Sequence, residues 1–201
     1  MTVKLSVIQY ISNLPNAKPF ATRELLRFGK RGTLDQILYL LVKNGDLIRL
    51  ARGVFCKLPR KTALPTVQEI AECKAKTFGK IIVVHGIDAM KTLKMQTNGC
   101  ADTTYAVAGR SGSFSTIHGR VFFHGTVHTR VETGNGKPGL AIRALAQLGK
   151  DRCDLYDVQT ALIDINSIER RILKKEFPQK MPGWMSDLIL YGHFPRGRRS
   201  A

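Results

Sequence analysis

The chain has 201 residues, of which 43% are apolar, and this composition is typical of a globular protein rather than a disordered tail. It carries 32 Lys and Arg against 15 Asp and Glu, and a net charge of +17 indicates a polyanionic partner such as nucleic acid. The chain has no apolar run of about 18 residues, no apolar signal-peptide core near Met1 and no C-x-x-C pair. We therefore expect a cytoplasmic protein without a membrane partner, a disulfide framework or a zinc finger.

Positive charge is densest in the first 60 residues, which hold 11 basic and 3 acidic side chains. Within them, an apolar repeat from Val3 to Leu14 predicts a first helix that ends before Pro15. Thr22 is the expected N-cap of a short second helix, and the glycines and cations of residues 29–32 predict a sharp turn after it.

The helix after this turn is the one that we expect to read DNA. Thr33 and Gln36 match a capping box, which predicts that the helix begins at Thr33. Its predicted buried stripe consists of Leu34, Ile37, Leu38 and Leu41. On the opposite face, Gln36, Tyr39 and Lys43 recur at helical spacing, so we expect them to meet base edges or phosphates in a major groove. Asn44–Gly45 suits the end of the helix.

Two strand-like runs, residues 47–50 and 54–58, flank Arg52–Gly53 and predict a β-hairpin. Helix, turn, helix and hairpin in this order are typical of a winged helix-turn-helix, whose basic hairpin would hold phosphates. The predicted DNA-binding residues are Thr22, Arg23, Lys30, Arg31, Thr33, Gln36, Tyr39, Lys43, Arg49, Arg52 and Lys57. The alternative is a structural helical unit whose lysines are merely solvated.

We predict an α+β protein with an N-terminal winged helix-turn-helix (1–60), a linker (61–65), a mixed α+β domain with a small, mostly antiparallel sheet (66–194), and a basic, flexible tail (195–201). In the second domain, Thr66 and Glu69 form a capping box that opens a helix to about Phe78, and residues 81–84 form a buried strand. The remaining predicted elements are a helix over 87–95, strands at 105–107, 114–117 and 121–127, and helices over 140–149, 157–162, 167–177 and from 184 to 191. Ser167 is the expected cap of the 167–177 helix, with Ile168 facing inward.

Three patterns in the second domain raise other functions. Residues 134–139 fit G-x-G-x-x-G, which favours a nucleotide-dependent enzyme, but the preceding run is too polar for a central parallel strand, so we prefer a turn with Pro138 at a helix start. His118, His124 and His128 lack an obvious further ligand. We therefore expect no metal, cofactor or catalytic set, and no enzyme. The basic helix face around 170–175 leaves an RNA-binding or adaptor protein as a further alternative.

The N-terminal pattern resembles a known family. Phe20-Ala21-Thr22 and residues 32–55 resemble the winged helix of AbiEi-type antitoxins of type IV toxin-antitoxin systems, most specifically at Gly45, Ile48, Arg49, Arg52 and Gly53. Residues 141–150 resemble a helix of the antitoxin's C-terminal domain. The resemblance implies a transcriptional regulator that represses its own operon by binding promoter repeats in double-stranded DNA. It also implies that the C-terminal domain counteracts a nucleotidyltransferase-type toxin, without requiring a stable complex.

Overall fold

The computed structural model describes residues 2–58, 63–97 and 103–191. The mixed α+β class is confirmed, and within the described residues no helix has both the length and the apolar content needed to cross a bilayer. The chain forms two compact units: residues 1–82 with 113–122, and residues 83–112 with 123–201. This division differs from the predicted boundary at 61–65, because the first unit also takes up a helix and a strand pair from beyond it. The predicted tail lies outside the described residues, as do residues 59–62.

The first unit begins with helix, strand, helix, helix and hairpin. In order, these elements are α1 (Val3–Ser12), β1 (Phe20–Ala21), a 3-10 helix (Thr22–Leu25), α2 (Arg31–Lys43), β2 (Leu47–Ala51) and β3 (Val54–Lys57). Strand β3 pairs antiparallel with both β2 and β1, and Gly53 takes a positive φ of 76° at the hairpin tip. The predicted hairpin is therefore confirmed. The finer assignment as a winged helix stays a prediction.

Two helix starts differ from the prediction. Helix α2 begins at Arg31, with Lys30 as a cap that has no side-chain hydrogen bond, so the capping box at Thr33 is wrong. The 3-10 helix is capped by Ala21, whose N–H donates to the Glu24 carboxylate at 2.9 Å, so the predicted Thr22 cap is also wrong. At the 3-10 helix, the Thr22 N–H also donates to the Gly53 carbonyl at 3.0 Å, so the hairpin tip helps to position this helix start.

The rest of the first unit covers the hairpin. Helix α3 (Val67–Lys76) has the predicted Thr66–Glu69 capping box, and Ile70 of this helix is fully buried. The segment from 113 to 122 contains most of β6 (Gly112–Thr116) and the start of β7 (Gly119–Thr126). Strand β6 pairs antiparallel with β2 at Ala51 and Thr116. Hence the strand order in this unit is β1-β3-β2-β6, followed by the start of β7.

The hairpin is buried on both faces, because its side chains alternate between two cores. Leu47 and Phe55 join the apolar residues of α1, β1 and α2, whereas Leu50, Val54 and Cys56 join Ile70 of α3. Each fully buried large apolar side chain contributes roughly 1.5–3 kcal/mol to folding, so packing on two sides fixes the hairpin strongly.

In the second unit, helices surround one apolar core. The helices are α4 (Gly86–Thr92), α5 (His128–Val131), α6 (Lys137–Leu148), α7 (Leu155–Leu162), α8 (Ser167–Glu176) and α9 (Gly183–Tyr191), with a 3-10 turn at Pro178–Lys180. The largest fully buried side chains of this core are Ile142, Leu145, Leu173 and Met185. The end of β7 lies beside β5 (Thr103–Ala108), which lies beside β4 (Ile82–Val84).

Most predicted elements of this region are present, and two predictions about α8 are corrected. Asn166, not Ser167, is its N-cap: the Asn166 side chain accepts from the Glu169 N–H at 2.9 Å, and the Glu169 carboxylate accepts from the Asn166 N–H at 3.0 Å. The predicted inward position of Ile168 is also wrong, since that side chain is 73% exposed, while Leu173 is buried.

Candidate nucleic-acid interface

The outer face of α2 is open to solvent. Leu34, Ile37 and Leu38 are buried on the inner face, and this turns the predicted readers outward. Tyr39 is 65% exposed, and Thr33, Gln36 and Lys43 are also exposed. The predicted orientation of this face is confirmed, and its role in reading DNA stays a prediction.

The N-terminal end of α2 brings cations next to the hairpin tip. Lys30 and Arg31 are both exposed, and the Arg31 Nε donates to both carboxylate oxygens of Asp35 at 3.0 Å. Surface ion pairs of this kind are worth about 0–1 kcal/mol, so the pair orients the guanidinium more than it stabilises the fold. A Cβ built on Gly53 would lie 3.8 Å from the Arg31 Nη2, which places this arginine beside the tip.

A lysine from α3 joins this group. The Lys74 Nζ donates to the Arg52 carbonyl at 2.6 Å and lies 5.8 Å from the centre of the Phe114 ring. Burial lowers the pKa of Lys74, and the positive charges of Arg52, Arg31 and Arg49 lower that pKa further. Four cations therefore lie close together, and we call Arg31, Arg49, Arg52 and Lys74 the cationic tip.

Three predicted contact residues lie elsewhere. Thr22 is 1% exposed and its hydroxyl is buried near Gly53, so its assignment as a DNA contact is wrong. Lys57 lies at the end of β3 away from the tip, where its Nζ donates to the Ser12 carbonyl at 3.0 Å. Arg23 is exposed, with its guanidinium 5.8 Å from the centre of the Phe78 ring.

Each glycine of the G-x-G-x-x-G pattern has a structural role without a nucleotide. Gly134 has a φ of 66° in the turn, and Gly136 is the N-cap of α6. A Cβ on Gly139 would collide with the carbonyl oxygens of Thr133 and Gly134, so this position requires close backbone packing. The predicted helix start around Pro138 is confirmed.

The three histidines have separate partners. The His118 Nε2 lies 2.8 Å from the Pro65 carbonyl oxygen in the first unit, and the His128 Nδ1 lies 2.8 Å from the Glu132 carboxylate in the second. The His124 ring meets the edge of the His85 ring, with 4.9 Å between centroids. Within the parts of the chain that the structure describes, no three His, Cys, Asp or Glu residues are grouped as metal ligands would be.

The basic face of α8 has a partly structural use. Arg170 donates from its Nε to the Ile165 carbonyl and from its Nη2 to the Leu162 carbonyl, both at 3.3 Å. Arg170 thus ties the start of α8 to carbonyls at and just beyond the end of α7. Arg171, Lys174 and Lys175 remain exposed beside it.

A family model described as a family of unknown function, DUF6088, matches residues 7–180. Comparisons with curated proteins and with solved structures give no match. No activity is known for this family, so the match by itself does not indicate a function.

The proximity of Arg52 to Lys74 can be tested by titration. Replacing Arg52 with Gln removes one positive charge and leaves the backbone carbonyl that accepts from Lys74, so the pKa of Lys74 should rise. The measurement is a pH titration of the lysine side-chain NMR signals. Lys4→Gln, which removes an exposed charge on α1, is the control and should leave the pKa of Lys74 unchanged. An unaltered Lys74 pKa in the Arg52→Gln variant would contradict the cationic tip.

Proposed function

We propose that this chain, which belongs to the DUF6088 family of unknown function, is a transcriptional regulator that binds double-stranded DNA through α2 and the cationic tip. The single observation that carries the proposal is the convergence of four cations from three elements beside the exposed face of one helix. A phosphate backbone is the polyanion that such a surface fits, because each contact releases condensed counterions.

The element order supports a winged helix-turn-helix. Helix α1, strand β1, the 3-10 helix, α2 and the β2–β3 hairpin follow in sequence, with β1 paired to β3. In this proposal α2 is the recognition helix and the hairpin is the wing. The wing is held from two sides, because β6 pairs with β2 at Ala51 and Thr116 and α3 covers one hairpin face.

Charge and chemistry divide the interface into two parts. Gln36 and Tyr39 carry the hydrogen-bonding groups suited to base edges, with Lys43 one turn beyond Tyr39. In this proposal, Lys30 and the cationic tip contact the DNA phosphates. Arg49 is on the side of the hairpin that faces α2, because its partner across the sheet, Phe55, packs into the α2 core. Helix and tip can therefore meet one duplex together.

Replacing Arg49 and Arg52 together with Ala should weaken binding to every duplex. Each lost phosphate contact should also reduce the slope of log K against log salt concentration by about 0.9. Fluorescence anisotropy with a labelled duplex over a series of salt concentrations measures both quantities.

The matched control removes the same charge from a different surface. Arg171→Ala with Lys175→Ala takes two exposed cations from α8, so any loss from reduced net charge alone appears there as well. Equal losses in the two double variants, or unchanged affinity in the tip variant, would refute the proposed interface. If only the α8 variant weakened binding, and structured RNA competed better than duplex DNA, the RNA-binding alternative would replace it.

If α2 contacts base edges, a substitution on its outer face should weaken binding to one DNA sequence more than to another. Gln36→Ala should weaken binding to a duplex selected from a random library by about 1–3 kcal/mol, the value of one good base contact, and leave affinity for an unrelated duplex nearly unchanged. Competition between the two duplexes measures the ratio of their affinities for the protein. An equal loss of affinity for both duplexes would indicate that Gln36 contacts the DNA phosphate backbone instead of a base edge.

We also propose, from the resemblance to AbiEi-type antitoxins, that the regulator represses its own operon in the cytoplasm and opposes a nucleotidyltransferase-type toxin. Co-expression with a nucleotidyltransferase from a neighbouring reading frame should restore growth that the toxin alone arrests. The variant lacking Arg49 and Arg52 should still restore growth, because no DNA contact is required for that role. Continued growth arrest with the wild-type chain would exclude the antitoxin role and leave DNA binding standing.

A further inference from the structure

The second unit contains a buried cation that no carboxylate neutralises. Arg143 of α6 is only 5% exposed, and no ion pair to it is present in the described residues. Burial lowers the pKa of Arg143 to about 10, which still leaves the guanidinium charged at neutral pH. A buried charge without a counter-charge is costly, so this position calls for an explanation.

Neutral acceptors hold this guanidinium in place without cancelling its charge. The Arg143 Nη1 donates to the Thr133 hydroxyl at 2.8 Å and to the Gly134 carbonyl at 2.7 Å. The Nη2 donates weakly to the Asn135 side-chain oxygen at 3.4 Å, and this oxygen also accepts from the Val84 N–H at 2.9 Å. The Nε is buried and has no partner among the described residues. The guanidinium is therefore oriented, and part of its donor capacity is unused.

Arg143 lines a small cavity whose other polar groups are basic or neutral. The cavity has a volume of about 90 Å³ and is lined by His85, Gly86, Ala106, His124, Thr126, Arg130, Arg143, Ala146 and Gln147. None of these lining residues is acidic. A Cβ on Gly86 would lie 2.7 Å from the Gln147 Cβ and 2.9 Å from the Arg143 carbonyl oxygen. Only a glycine allows α4 to approach α6 this closely beside the cavity.

Two histidines add donors to the same cavity. The His85 Nδ1 accepts from the Ile87 N–H at 3.4 Å, so the proton of the neutral ring is on Nε2. Burial lowers the pKa of His85, and His124 lowers it further, while Asp88 acts in the opposite direction. At neutral pH, His85 is therefore a neutral donor beside two arginines.

We propose that this cavity binds a phosphate group, either free or as a phosphate monoester. The cavity volume of about 90 Å³ is several times the roughly 10–15 Å³ that holds one water, so the cavity can accommodate a group of phosphate size. Side chains with donor groups line the cavity from His85, which precedes α4, and from α5, α6 and β7. This spread suits a tetrahedral oxyanion better than a planar carboxylate, and arginine is well matched to phosphate oxygens. The site does not depend on the proposed DNA interface.

The test is a titration of the full chain with inorganic phosphate at constant ionic strength, followed by the imidazole NMR signals of His85 and His124. Saturable shifts of both rings are expected. AMP in place of inorganic phosphate separates the two sources: tighter binding of AMP indicates a monoester site, and equal or weaker binding indicates free phosphate. Absence of saturable shifts with either probe would overturn the proposal.

Three variants separate a built site from diffuse attraction to a basic protein. Arg130→Gln changes an exposed side chain and should weaken phosphate binding about tenfold, the value of one hydrogen bond to a charged group. Arg143→Gln should abolish binding; if this variant does not fold by circular dichroism, Arg130→Gln decides. Arg110→Gln removes an exposed charge from the turn after β5 and should bind like the wild type. Equal weakening by Arg110→Gln and Arg130→Gln would show an adventitious ion only and overturn the site.

Discussion

Burial of the β2–β3 hairpin on both faces is the constraint on which the proposed interface depends. Leu47 and Phe55 pack toward α1 and α2, while Leu50 and Val54 pack toward α3. A shift of one residue in strand register would exchange these faces and drive charged side chains into apolar cores, so the register is strongly specified. With both faces occupied, the arginines of the hairpin lie at its tip and on the side facing α2.

This constraint explains how like charges come to be gathered in one place. The tip is fixed by packing, and α3, which covers one hairpin face, brings Lys74 to the Arg52 carbonyl. Burial lowers the pKa of Lys74, and repulsion from the neighbouring arginines lowers it further. Such a cluster costs stability in the free protein, and an anionic partner would relieve that cost. In the proposed function, destabilisation of the free state and affinity for a polyanion have the same origin.

The second unit also contains a positive charge without an acidic neighbour among the described residues, and this charge, on Arg143, is buried. The turn after α5 contributes a hydroxyl, a carbonyl and an amide oxygen to Arg143, all of them neutral. The glycines that make this turn possible are those of the G-x-G-x-x-G pattern, so the pattern has a structural use in positioning a buried arginine. The cation comes from α6, and the turn orients it toward a cavity without acidic residues.

The sequence by itself determined the elements whose signals are local. Three such signals each span only a few residues: the leucines of α2, the Arg52–Gly53 tip and the Thr66–Glu69 capping box. All three features are present in the structure. The helix starts at Arg31 and after Ala21 differ from the predicted hydroxyl caps, since Lys30 makes no side-chain cap bond and the Ala21 N–H donates to the Glu24 carboxylate. Only the tertiary structure decided that Thr22 is buried, that Lys74 joins the arginines and that Arg143 has no acidic partner among the residues the structure describes. Each of these depends on contacts between residues distant in the chain, and the physical cost or benefit of a charge is set by what surrounds it rather than by its neighbours in sequence.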